Sequence, residues 1–509
     1  MKNVTPPSWR RYDFFGISKQ LVRINLMHYF LFLTLSLSLS VSSFAQANRV
    51  RQVSSDSVSQ TAADESGDSA TAANMYAEAD AYTKNKIAGF QAKKVPYSDE
   101  LYKQTLGEQK QLAAKYAAVL AARQNLSGED FYYWGMLHWL AENYDGANEA
   151  LEKFLSGENP AAEKAQTARS VRVIIAVRRK NFDAAEKFLS NYLNNTPIVR
   201  RERFRMETET AAAYRAENEF QKAAAHAEEA YRAAKTMFRE TSSRVRALAD
   251  VLDSGSDVFK NYRDAGNAEQ AEAALEDLRR TAALIESTGI YYYAVDNRIK
   301  YLIATNRKPE ALAFYKLALN QADKDFAVKP LRDDVVRRLE KREKQYRLLN
   351  QPAPELASID RATSAQMKTL ASLRGKVVLL DFWATWCGPC IGAFPSLIAL
   401  HNDFQKDGLE ILGLTRYYGQ SVGSESGGDE KADKNTEFAY LERFKKEKNL
   451  PYDFMVSKDT VDQVAYSAFS IPTTVLIDRR GIIRYVETGA SADREIEIRA
   501  MVEKLLAEK

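Results

Sequence analysis

Along residues 75–350 the apolar side chains recur every three to four positions, the spacing of one helix face. Beyond residue 350 they gather into short apolar runs separated by amphipathic stretches. The first pattern predicts a long α-helical region. Its clearest helix is 101–122, rich in Ala, Leu, Lys and Gln with no glycine after its start. The second pattern predicts strands at 377–382, 409–414, 453–456, 473–477 and 482–487. Helices at 387–404, 436–446, 461–468 and 493–507 alternate with them, which implies an α/β sandwich. Asp478-Arg-Arg-Gly481 lies between two runs rich in β-branched residues and predicts a turn that makes the last two strands a hairpin.

Within residues 130–327 a short word recurs. Asn143-Tyr-Asp-Gly-Ala147, Asn181-Phe-Asp-Ala-Ala185 and Glu219-Phe-Gln-Lys-Ala223 place aromatics at Tyr144, Phe182 and Phe220, 38 residues apart each time. Weaker copies stand at Asn267-Ala-Glu-Gln-Ala271 and Arg307-Lys-Pro-Glu-Ala311. Each copy lies between two amphipathic segments, so the repeating unit is a helix pair, and a period of this size predicts an α solenoid packed through its aromatics and alanines. The first copy resembles a tetratricopeptide repeat: Trp134, Leu137, Ala150 and Phe154 fall at that family's packing offsets and Pro160 closes the unit. The period exceeds that family's usual length of about 34, and His138 stands where its glycine is expected. Such a surface would bind a partner that no residue identifies. The charged run at 329–350 predicts a solvated connecting helix. Gln351-Pro-Ala-Pro-Glu355 breaks it, because the residue before a proline avoids the helical region.

Composition bounds the class. At 509 residues the chain exceeds one ordinary core, and 45% apolar with 28% charged residues is the composition of a globular protein. The net charge is +4, from 72 basic and 68 acidic residues, with no basic stripe of interleaved aromatics, so nucleic acid is not indicated. The N-terminus says more. Arg10, Arg11, Lys19 and Arg23 precede an apolar run from Leu26 to Val41, and Ser43-Phe-Ala45 and Ala45-Gln-Ala47 then offer small-x-small cleavage sites. This is the layout of a secretory signal over residues 1–45, and it predicts a periplasmic or otherwise extracytoplasmic protein. Left uncleaved, residues 26–41 would tether the chain to a membrane, although the run is shorter than the roughly 20 apolar residues a span prefers. No cysteine stands near the cleavage sites, which excludes a lipid anchor there. Residues 46–74, rich in Ser, Ala, Asp and Thr, predict a disordered linker.

Export alters how the cysteines read. An oxidising compartment favours structural disulfides, yet the chain has two cysteines, Cys387 and Cys390, both in one word. The pair is therefore free for chemistry. Cys-x-x-Cys between a strand and a helix puts the first sulfur at a helix N-terminus, where unpaired N–H groups and the dipole favour a thiolate.

The surrounding words carry a resemblance. Gly375-Lys-Val-Val-Leu-Leu-Asp-Phe-Trp-Ala-Thr-Trp-Cys-Gly-Pro-Cys390, then Pro395-Ser-Leu397, then Ile471-Pro-Thr-Thr-Val-Leu-Ile-Asp478, Gly481 and Gly489 occur in the order found in exported thiol–disulfide oxidoreductases of the TlpA/ResA type. Residues 351–509 resemble that thioredoxin-fold family, and Gln351-Pro-Ala-Pro-Glu355 resembles its opening strand. The resemblance implies that Cys387, exposed, is the nucleophile, that Cys390, more buried, resolves the mixed disulfide, and that the two form the redox disulfide. It implies that Gly388 and Pro389 set the turn, that buried Asp381 accepts the Cys390 proton, that Ile471-Pro472 is a cis-proline site where substrate backbone pairs, and that Trp386 shields the disulfide. The Gly-Pro dipeptide resembles the reducing members. A disulfide-bearing protein substrate and an upstream dithiol donor are the implied partners, with no cofactor.

The sequence departs from the family in two places. Ile391-Gly-Ala-Phe394 lacks the acidic residue expected after the second cysteine, and Leu409-Glu-Ile-Leu-Gly-Leu414 has no lysine to pair Asp381. The insertion at 418–435 reads as a mobile loop or a substrate-selecting lid. Zinc would need a second ligand pair, and the four histidines show no ligand spacing; haem attachment would need a histidine where Ile391 stands. A peroxide-reducing relative fits the fold, but its signature is not visible. The predicted organisation is a signal at 1–45, a linker at 46–74, tetratricopeptide-like helices at 75–328, a charged connecting helix at 329–350 and a thioredoxin-like domain at 351–509. The rival reading is a scaffold whose helical repeats act and whose thioredoxin-like domain is a redox-gated adaptor.

Overall fold

The computed structural model describes residues 71–239, 244–364, 367–419 and 432–508. The predicted signal, most of the linker and most of the 418–435 insertion lie outside the described residues, among which no helix is long and apolar enough to cross a membrane. The chain divides into two compact units, one ending at Ala271 and one running from Glu272 to Lys509.

Residues 72–348 form thirteen helices among the described residues. They are α1 (Ala72–Ala92), α2 (Asp99–Ala121), α3 (Asp130–Leu140), α4 (Tyr144–Leu155), α5 (Ala162–Arg178), α6 (Phe182–Leu193) and α7 (Arg200–Ala216). Then follow α8 (Phe220–Phe238), α9 (Arg244–Asp264), α10 (Ala268–Leu284), α11 (Thr288–Ala304), α12 (Lys308–Asp325) and α13 (Lys329–Leu348). Helix α1 starts three residues inside the predicted linker, because the Thr71 hydroxyl caps it by accepting the Asn74 N–H at 3.2 Å.

The repeated word is a helix-capping device. The residue before it, Glu142, Lys180, Asn218 or Gly266, has a left-handed backbone with φ of 58°, 57°, 62° and 74°. The next N–H reaches back five residues: Asn143 to His138, Asn181 to Ala176, Glu219 to Tyr214 and Asn267 to Tyr262, each at 2.9 Å. This bond satisfies a carbonyl that the ending helix leaves unpaired. Asn143, Asn181 and Asn267 then cap the following helix through their side-chain oxygens. The last residue of each word, Ala147, Ala185, Ala223, Ala271 and Ala311, is at most 1% exposed, including those in the two weaker copies. A small side chain there lets the two helices of a pair approach closely. Within the first unit consecutive helices from α1 to α6 pack on one another, as do those from α7 to α9, and α5 packs also on α7, so the pairs stack.

In the second unit α13 corrects a prediction. It is a helix, but not a solvated one: Val335, Leu339, Arg342, Gln345 and Tyr346 are buried, and the helix packs against α11 and α12. The charges of its exposed face obscure an apolar stripe at helical spacing.

The remainder is a mixed six-stranded sheet. Its strands are β1 (Ile359–Ala362), β2 (Val377–Phe382), β3 (Leu409–Arg416), β4 (Asp453–Ser457), β5 (Thr473–Ile477) and β6 (Ile483–Thr488), in the order β1-β4-β3-β2-β5-β6. Strands β4, β3 and β2 are parallel; β1, β5 and β6 run antiparallel to their neighbours. Every residue of central β2 is buried, which accounts for its nearly continuous apolar run. Helices α14 (Gly388–Phe404), α15 (Lys434–Glu447), α16 (Val461–Tyr466) and α17 (Ala492–Ala507) complete the domain. The turn between β5 and β6 is closed by Asp478, whose Oδ1 accepts the N–H groups of Arg480 at 3.0 Å and Ile482 at 2.9 Å. Gln351-Pro-Ala-Pro-Glu355 does not form the expected opening strand. It makes a single bridge, Pro352 to Ile482, because its prolines lack the N–H a ladder needs, and the additional strand is β1.

Candidate active site

Strand β2 delivers the chain to the site. After Phe382 the Trp383 N–H still pairs with Leu414 O at 2.9 Å, and the Cys387 N–H closes a turn onto Ala384 O at 3.1 Å. Cys387 (φ −84°, ψ 96°) is then the N-cap of α14, and its Sγ accepts the Cys390 N–H at 3.2 Å. A cap position is one where a side chain meets the unpaired first N–H groups of a helix. Pro389 costs the helix no hydrogen bond in its first turn. Cys387 and Cys390 are joined by a disulfide.

Cys387 is 4% exposed and Cys390 is fully buried. The expectation of an exposed first cysteine is thereby corrected for the disulfide form, in which both cysteines belong to the buried cluster that also holds Ala384, Phe394 and Trp383. Gly388 and Pro389 are exposed. So is Trp386, at 52%, with its ring edge-on to Tyr418 at 5.5 Å.

Asp381 lies on the same face of β2 as Val377 and Leu379, which belong to the cluster containing both cysteines. It is buried, not partly exposed, and burial pushes its carboxyl up to about 7. Its register partner on β3 is Gly413, the position where no lysine was found. A Cβ at Gly413 would stand 2.9 Å from both Trp383 Nε1 and Phe454 Cδ1, so two rings fill the space a longer side chain would need. Tyr452, whose buried hydroxyl has no hydrogen-bond partner among the described residues, is close enough for the Asp381 charge to add to its raised pKa, after burial itself. No pattern in the chain points to Tyr452 or Trp383 here, because their relation to Asp381 depends on packing across three strands.

The far side of the site comes from β5. Thr473 pairs with Phe382, the last residue of β2, so Pro472 is level with the residues leading to Cys387. Ile471 packs against the cluster holding both cysteines, Pro472 is buried, and the peptide bond between them is cis. The structure thus brings Asp381, Cys387, Cys390, Ile471 and Pro472 to one end of the sheet. Among the described residues no group of His, Cys, Asp and Glu could hold a metal ion.

A dithiol pair at a helix start, carried by this sheet order, defines a thioredoxin-like domain. Comparison with known proteins places it more closely. Residues 349–486 match the AhpC/TSA family. The chain is 35% identical over 130 residues to the thiol-disulfide oxidoreductase ResA of Geobacillus kaustophilus, covering 25% of this chain and 63% of that one. It is 28% identical over 147 residues to the thioredoxin-like protein YneN of Bacillus subtilis, covering 29% of this chain and 75% of the other. Among solved structures, a putative thiol:disulfide interchange protein DsbE from Chlorobium tepidum matches at 22% identity and a TM-score of 0.25, over 31% of this chain and 98% of that chain. The carboxy-terminal region is similar to ResA-type oxidoreductases, and the chain spans 63% of the length of the ResA relative from Geobacillus kaustophilus.

Proposed function

We propose that the protein is an exported thiol–disulfide oxidoreductase that reduces disulfides in protein substrates. The observation that carries this reading is the Cys387–Cys390 disulfide capping α14 in the same core as a buried carboxyl held up near 7. In the reduced protein the N–H groups at the start of α14 favour a Cys387 thiolate. That thiolate attacks one sulfur of a substrate disulfide; the substrate S–S bond breaks, its leaving sulfur takes a proton from solvent, and a Cys387–substrate bond forms. Asp381 accepts the proton of Cys390, whose thiolate attacks Cys387 Sγ. The mixed disulfide breaks, its departing sulfur takes a proton from solvent, the substrate leaves as a dithiol, and the Cys387–Cys390 disulfide forms. Two electrons have passed to the substrate, and an upstream dithiol donor returns them. Ile471-Pro472 offers backbone to the substrate chain beside the cysteines, and Trp386 covers the approach. The tetratricopeptide-like helix pairs position protein partners.

Insulin reduction by the protein with dithiothreitol as donor tests the proposal. The wild-type protein accelerates precipitation of the insulin B chain, and Cys387→Ser removes the acceleration. A wild-type protein no faster than dithiothreitol alone would sink the proposal.

A further inference from the structure

The segment carrying Pro472 is held from outside the α/β domain as the sequence delimits it. Ser467, at the end of α16, has a left-handed backbone with φ of 54°, a conformation that costs a non-glycine residue energy and persists where the surroundings enforce it. Its carbonyl accepts the side-chain Nε2 of Gln345, on helix α13, at 3.2 Å. The same Nε2 lies 3.4 Å from Thr488 Oγ1. Thr488 Oγ1 is 3.0 Å from Thr473 Oγ1, which donates to Ser470 O at 2.5 Å, and the Gly489 N–H donates to Pro472 O at 2.7 Å. A second α13 side chain, Lys344, bonds the Val464 carbonyl on α16. Hydrogen bonds therefore run without a break from Gln345 to both sides of Ile471-Pro472.

Gln345 is itself locked. It is 3% exposed, and its Oε1 accepts Arg342 Nη1. Arg342, also buried, pairs with Asp296 on α11 at 3.2 Å and Glu487 on β6 at 3.1 Å. Lys300 on α11 pairs with Asp296 at 3.0 Å and Glu487 at 2.6 Å, and Arg494 reaches Glu487 at 3.1 Å. Burial pushes the Glu487 carboxyl up, but Lys300 and Arg342 outweigh it and hold the group below the usual carboxylate range. A buried network in which every charge has a partner fixes its members in one arrangement.

We infer that Gln345 is a positioning residue for the exchange reaction: helix α13 braces the Ser467–Thr473 segment and so presents Ile471-Pro472 to the substrate at the depth of the cysteines. The inference rests on the proposed reductase activity. It makes the last helices of the repeat region part of the active-site scaffold rather than a separate module. Removing Arg342 would take one of two cations from buried Asp296 and one of three from buried Glu487 and threaten folding, so Gln345 is the informative position.

The test uses the whole protein with Gln345→Ala and Gln345→Glu. The second keeps size and an oxygen for Arg342 but loses the donor to Ser467. Both variants are expected to raise KM for insulin about fivefold with kcat within twofold. The rate at which the reduced protein attacks Ellman's reagent, which needs no peptide backbone, stays unchanged. Amide hydrogen exchange over 467–473 is expected to quicken at least tenfold, while β3 keeps its protection. Unaltered exchange at 467–473 overturns the brace, whatever the activity. Faster exchange with an unchanged KM, or equal losses with insulin and Ellman's reagent, overturns the positioning role. A wild-type protein inert to both substrates overturns the reductase reading itself, and with it the positioning role; hydrogen exchange still decides whether the brace exists.

Discussion

At the scale of single residues the account turns on Asp381. Its carboxyl is raised from the ordinary value to about 7 by burial alone. The folded protein therefore holds a proton there between about pH 4 and pH 7 that the unfolded chain has released. The stability this proton contributes is fully present below the unfolded value and is lost as pH rises through the folded one. The displacement corresponds to at most about 4 kcal/mol. Asp381→Asn removes the titration: chemical denaturation of the oxidised protein should show the variant more stable than wild type at pH 8 and little different at pH 4. The same variant should slow release of substrate from the mixed disulfide on the order of a hundredfold at pH 8, and a stopped-flow measurement checks this. A variant equal to wild type in both would remove Asp381 from the mechanism. The sequence placed Asp381 at the end of an apolar strand and so made its burial legible. The rings of Trp383 and Phe454 that close the space at Gly413 were not, because they meet it across strands.

At the scale of elements, the repeat was legible because its words lie at the caps and at the tightest helix contacts. Ala223 is fully buried between α7 and α8, and Ala223→Leu forces three further carbon atoms into that contact. Overpacking of this kind costs about 1–3 kcal/mol, so thermal denaturation followed by circular dichroism should show a lower midpoint. An unchanged midpoint would mean that the contact is loose. Two elements escaped the sequence reading for physical reasons. Strand β1 is four residues at a sheet edge, half-buried throughout and interrupted by a register shift, so it carries no alternation. Helix α13 looked solvated because its buried face includes Arg342, and the carboxylates that balance it, Asp296 and Glu487, lie 46 and 145 residues away. Local charge patterning cannot reveal a partner at that separation.

At the scale of the whole molecule, the central claim is that two cysteines carry the activity and the rest of the chain positions them. The α/β order was readable from the chain because β2, β3 and β5 are nearly continuous apolar runs and Cys387, Cys390 and Pro472 fall at their ends. What the chain did not reveal is that α11 to α13 join the sheet in one compact unit from Glu272 onward. The most direct measurement is the mass of the covalent product formed when the reduced Cys390→Ser protein meets a disulfide-bonded protein such as insulin. Without the resolving sulfur, exchange should stop after its first step. Mass spectrometry should then find one substrate chain bound through Cys387 and released by dithiothreitol, with none on Cys387→Ser. A Cys390→Ser protein that stays unmodified would contradict the claim that Cys387 attacks substrate disulfides.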